Sequence, residues 1–153
     1  KMLESLKERL DANVGASYAY CQFKFGWKVM KSQNFNISDL KRYNYIDTTS
    51  LIRRNALVDV RQHTPTPLSR GDLAAPFDES LKRFQDWDLW LTLAKQNKTG
   101  TFVPEVLFKK IVVDRVGISS WIPSFMFRLP WKTKKVKVYD AAKKIILSKH
   151  SLL

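Results

Sequence analysis

The sequence predicts a mixed α/β fold, and three observations carry that prediction. The apolar, aromatic run Ala16–Phe25 has the make-up of a buried strand. Residues 85–96 place apolar side chains at helical spacing. Segments of both kinds alternate along 153 residues, enough chain for a domain with its own core.

Taken in order, Leu3, Leu6 and Leu10 recur one helical turn apart, with Glu4, Lys7, Glu8 and Arg9 between them. That spacing predicts an amphipathic helix closing near residues 13–15. After the strand, Gly26 breaks the chain and residues 27–30 read as a short second strand. Residues 34–39 are polar and read as a loop, followed by a turn of helix at 38–42. The β-branched stretch 45–52 reads as a strand, with a short helix at 53–58. Pro65, Pro67 and Gly71 make 63–75 a loop. In the helix at 85–96, Trp87, Trp90, Leu91 and Ala94 share a face that Leu89 and Leu93 widen. Asp86 and Asp88 fall in its first turn, where carboxylates suit the positive end of the helix dipole. Residues 97–100 end it. Strands follow at 101–103 and 106–113, interrupted by Pro104, and then helices at 119–128 and 139–150 with a linker at 130–137.

Composition removes several function classes. A hydrophobic content of 44% argues against a disordered chain. No apolar run is long enough to span a bilayer, and the N-terminal residues lack a signal-peptide pattern. The first residue is Lys1, so the chain reads either as starting at Met2 or as an excerpt. Cys21 is the single cysteine, which excludes a disulfide framework and a cysteine-based zinc site. It reads as a small buried hydrophobe, and the cytoplasm is the natural compartment. There is no Gly-rich strand–loop–helix element, hence no phosphate loop or dinucleotide fingerprint, and no internal repeat.

Charge points to an anionic partner. The net charge is +13, from 27 basic and 14 acidic residues. Much of the excess lies in residues 121–153, where Arg128, Lys132, Lys134, Lys135, Lys137, Lys143, Lys144 and Lys149 face Asp140 alone. Trp121, Ile122, Phe125, Met126, Phe127 and Trp131 share that tail. Aromatic and cationic residues together suit an anionic membrane surface. A helical pair with one face packed on the domain and a solvated lysine face accounts for the same residues. A nucleic-acid-binding module is the rival from another class, supported by charge and aromatics. No recognised nucleic-acid motif is present, which disfavours it.

Two stretches carry a family resemblance: NYIDTTSLIRRNAL from Asn44, and FDESLKRFQDWDLWLTLAKQNKTGTFVPEVL from Phe77. Together with MLESLKERLDANVGASYAYCQF at the start, they resemble the second half of family 2 glycosyltransferases of the GT-A type. The resemblance covers roughly residues 2–120 and implies a partial GT-A-like mixed sheet flanked by helices, with C-terminal helices beyond. Residues 1–120 would form the acceptor-side half of the catalytic domain, and 121–153 a basic, aromatic helical extension.

The resemblance implies transfer of a sugar from a nucleoside-diphosphate-sugar to a hydroxyl of a glycan or lipid-linked acceptor, with inversion. Asp86 would be the general base, its pKa lowered by the helix end so that it stays ionised. Capping of the helix explains Asp86 and Asp88 without catalysis, and Asp88 reads as a cap or a supporting residue. Trp87 could stack on a pyranose face, whereas Trp90 reads as core. Thr48, Thr49 and Ser50 would line the cleft floor, although strand propensity explains the threonines equally well. Arg53 and Arg54 could meet a diphosphate or simply face water.

The family's nucleotide-binding half and its Asp-x-Asp metal motif have no counterpart here. Asp86-Trp87-Asp88 has that spelling, but its surroundings match the catalytic helix. A divalent Mg or Mn ion would belong to the complete enzyme, and this fragment alone is expected to be inactive and to bind metal and nucleotide poorly. A folded remnant without activity is a third reading. Residues 114–120 lack the histidine common in relatives, and His63 and His150 read as surface residues. The enzyme would sit in the cytoplasm, peripheral at the inner face of the membrane.

Overall fold

A computed structural model describes residues 1–61, 77–110, 122, 124–128 and 130–152, and it has the mixed α/β architecture. Helix α1 (Met2–Asp11) buries Leu6 and Leu10 on one face. Strand β1 (Ala16–Phe25) follows, and its first six residues are all buried. The cause is its central place in a four-stranded sheet with layers on both faces. Side chains alternate across a strand, so Tyr18 and Tyr20 enter the larger core while Ala19 and Cys21 meet α1 through Leu6 and Leu10.

β1 turns into β2 (Lys28–Met30) through two residues, since Phe25 pairs with Lys28. Such a turn needs a positive φ, which Gly26 supplies at 62°. Helix α2 (Ile37–Arg42) is capped by Asn36, whose Oδ1 accepts from the N–H groups of Ser38 and Asp39 at 2.9 and 3.1 Å. β3 (Leu51–Ile52) pairs antiparallel with the start of β1, and α3 (Arg54–Arg61) follows it. Helix α4 is Gln85–Lys95. β4 (Thr99–Lys110) then runs parallel to β1 along its other edge. A 3₁₀ turn at Ser124–Phe127 and helix α5 (Lys134–Lys149) complete the described elements. Among the described residues no helix is long and apolar enough to cross a membrane.

Three expectations need correction. The strand foreseen at 45–52 shrinks to Leu51–Ile52, because the preceding backbone is bound by side chains instead of a neighbouring strand. Asp47 accepts from Thr49 N–H at 2.9 Å, Ser50 Oγ donates to the Asp47 carbonyl at 2.6 Å, and Ser32 Oγ donates to the Tyr45 carbonyl at 2.5 Å. Pro104 does not break β4. The ladder slips there, passing from Cys21↔Val103 to Gln22↔Val106, so the residue without an N–H falls in a bulge. α5 begins well before residue 139, because the Thr133 side chain caps it at Val136 N–H. Of the helix foreseen at 119–128, the described part is the 3₁₀ turn. Residues 111–113, the loop at 63–75 with His63, and 114–120 lie outside the described residues.

The core is organised around α4. Trp87, Leu89, Trp90, Leu91 and Leu93 are all buried, so the helix is covered on nearly every side. Each indole N–H reaches a backbone carbonyl: Trp87 Nε1 donates to Leu40 O at 2.7 Å and Trp90 Nε1 to Ile46 O at 3.0 Å. The Trp90 ring lies 4.8 Å from that of Tyr18. Gly100 is required beside it, since a Cβ there would meet Tyr18 Cε2 at 2.2 Å. α5 joins the same core through Ile146, which is fully buried.

Candidate functional site

A cleft of about 810 Å³ opens between the N-terminus of α4, the 43–48 segment, the end of β4 and α5. Its lining combines carboxylates (Asp47, Glu79, Asp86), cations (Lys82, Arg83, Lys110, Lys143) and aromatic rings (Tyr43, Phe77, Phe84, Tyr139). The volume is in the range of small-molecule sites.

Asp86 is the partly buried carboxylate at the helix start. Its Oδ1 accepts from Trp87 N–H at 2.9 Å. The lowered pKa foreseen from the helix dipole is not what the surroundings produce. Burial pushes the Asp86 carboxyl above the usual range, and the negative Asp47 adds to this, against hydrogen bonds from Trp87 N–H and the Asn44 side chain. Desolvation outweighs the helix end here. The result is a carboxylate with heightened affinity for a proton, facing a cleft.

The residue before this helix start is strained. Phe84 holds φ 62°, a left-handed conformation that a bulky side chain rarely adopts. Its ring meets Tyr139 of α5 edge-on at 5.0 Å and Trp87 at 5.7 Å, contacts that hold the turn in place. Gln85 Nε2 donates to Leu81 O at 2.8 Å, tying the 78–81 turn to α4.

The other sequence-derived candidates fall in different places. Trp87 borders the cleft but is only 2% exposed, with its indole N–H donated to the Leu40 carbonyl. Thr48 is exposed on the cleft wall, in a bend rather than at a strand end. Thr49 and Ser50 belong to the turn bound by Asp47 and do not line the cleft. Arg53 points elsewhere: Nε donates to Ala16 O at 2.9 Å and Nη2 to Leu10 O at 2.7 Å, clamping the start of α3 to α1 and β1. Nε and Nη2 close a chain junction, and Arg53 is not among the residues lining the cleft.

His150 also departs from the surface role foreseen for it. It is 5% exposed, with Nε2 2.8 Å from Asp88 Oδ1. Lys149 Nζ bridges Asp88 Oδ2 at 2.9 Å and Asp78 Oδ2 at 2.6 Å. Burial works against ionisation of Asp78, yet Lys149 and two hydrogen bonds from Ser80 outweigh it and hold the carboxyl below the usual range. Asp88 is thus the anchor for the end of α5, not a cap.

A divalent cation does not fit these residues. The two carboxylates of Asp86-Trp87-Asp88 face different surroundings, Asp86 the cleft and Asp88 the Lys149 ammonium and the buried His150. Asp47 is bound to Lys110 at 2.5 Å. Among the described residues no group of three His, Cys, Asp or Glu side chains could hold a metal ion.

Sequence reasoning missed Asp47, Lys110, Tyr139 and Lys143 as cleft residues. Only Asp47 carried a local signal, the Asp-Thr-Thr-Ser string of an Asx turn. No protein-family model matches this chain, and no curated protein matches it.

Proposed function

We propose that this chain is the acceptor-side part of a GT-A-like glycosyltransferase, with Asp86 as the general base that takes the acceptor hydroxyl proton. The observation that carries the proposal is Asp86 itself: a partly buried carboxylate of raised proton affinity, at the start of a rigid helix, facing a polar and aromatic cleft. The sequence resemblance supports the same residue for the same task.

An acceptor hydroxyl must lose its proton as its oxygen attacks the sugar carbon. A carboxylate with a raised pKa takes that proton with a smaller driving-force deficit than an ordinary aspartate. Tyr43 and Tyr139 offer ring surface to the acceptor, and Thr48 an exposed hydroxyl. The nucleoside-diphosphate donor and any Mg or Mn ion on its diphosphate would be held by residues other than these.

The test is the pH profile of kcat/KM for sugar transfer by the intact gene product. An acidic limb above the usual aspartate range is the expected result. A limb at the ordinary carboxylate value, or none, would remove Asp86 from the role.

A further inference from the structure

Helix α5 has two different sides. Inward, Val136 and Ile146 are fully buried, and Tyr139 and Lys143 line the cleft. Outward, Val138 is 50% and Ile145 56% exposed, with exposed Ala141 between them. At helical spacing 138, 141 and 145 stand in one stripe. Lys137 and Lys144 run along one flank of that stripe, Lys135 lies on the other, and Lys134 stands at its head; all four are exposed. Trp131 precedes the helix with 69% of its surface exposed. Asp140, the one carboxylate in the helix, is occupied by Lys132 at 2.5 Å.

We propose that this outward face of α5 docks on an anionic lipid surface. The apolar stripe enters the boundary between headgroups and acyl chains, the flanking lysines meet the headgroup charges, and Trp131 sits at headgroup level. Charge complementarity selects the partner: four exposed cations frame aliphatic side chains that would gain nothing against a nucleic-acid backbone. Docking would also hold the cleft within roughly one helix diameter, about 10–12 Å, of the headgroups. The contact rests on α5 and not on the transfer chemistry, so each stands or falls separately.

The experiment is co-sedimentation of the chain with vesicles of phosphatidylglycerol and phosphatidylcholine in roughly a 3:7 ratio. Binding is expected at about 0.05 M NaCl and release at about 0.5 M. Val138→Gln with Ile145→Gln, which removes the apolar stripe without changing charge, should weaken partitioning at least about tenfold. Each of Lys134→Gln, Lys137→Gln and Lys144→Gln should cost about fivefold. These positions are exposed, and an unchanged circular dichroism spectrum checks the fold. Brominated-acyl phosphatidylglycerol gives a second readout on the unaltered helix, quenching fluorescence that Trp131→Phe removes. Protein left in the supernatant at low salt would overturn the proposal. So would a doubly substituted chain that binds these vesicles as well as the parent does, since charge alone would then account for the contact.

Discussion

His150 and Asp88 meet in the interior, Nε2 to Oδ1 at 2.8 Å, although 62 residues separate them in the chain. With Lys149 on the other carboxylate oxygen, this pair fastens the end of α5 to the start of α4. Asp88 is 2% exposed, so removing its carboxylate leaves the buried His150 imidazole without its acceptor and Lys149 with Asp78 alone. Asp88→Ala should cost about 1–3 kcal/mol, measured by urea unfolding at neutral pH. A loss below about 1 kcal/mol would mean that the end of α5 is not fastened there.

The same network sets a pH dependence. Asp78 has its pKa lowered in the fold, so its contribution is present above the ordinary carboxylate pKa and is lost as pH falls through the folded value. Lys149 is the opposite case. Burial opposes its charge, but Asp78 and Asp88 outweigh that and raise its pKa, so its contribution is lost as pH rises through the folded value. Stability should therefore decline at both the acid and the alkaline end. Lys149→Met should flatten both declines, as read from unfolding midpoints across pH.

Asp86 has the reverse sign from Asp78. Its raised folded pKa makes its contribution full below the unfolded pKa and lost as pH rises through the folded one. The ionised side chain thus weakens the fold at neutral pH. Asp86→Asn, which keeps an oxygen for Trp87 N–H, should unfold at higher urea than the parent at neutral pH. The gap should close as pH falls toward about 4. Equal midpoints at both pH values would show that no such cost exists.

Gly100 faces the Tyr18 ring, where a methyl group would lie 2.2 Å from Cε2. Tyr18 is fully buried between Trp90 and Phe35 and cannot swing aside. Gly100→Ala should destabilise by about 1–3 kcal/mol. Adding Tyr18→Leu should recover part of that loss, and two losses that simply add would contradict the contact.

The elements legible in the sequence are those whose side chains answer to a local period. β1 was readable because both its faces are buried, and α4 because its tryptophans and leucines repeat at helical spacing. The errors share a cause, in that a distant partner decided the outcome. Arg53 looks like an exposed cation until the carbonyls of Leu10 and Ala16, 43 and 37 residues away, take its donors. β-branching at 45–52 hides the Asp47 side chain that turns the backbone. Asp86 was placed correctly at a helix start, but its pKa depends on burial and on Asp47, which no local pattern reveals. The cleft residues of α5 join it only through tertiary packing.

The most direct test of Asp86 as general base is the transfer rate of the intact gene product with Asp86→Asn. The account predicts a fall in kcat of about a hundred- to ten-thousand-fold, with circular dichroism unchanged and the unfolding midpoint raised. Activity within about tenfold of the parent would contradict it and assign the proton transfer to another group.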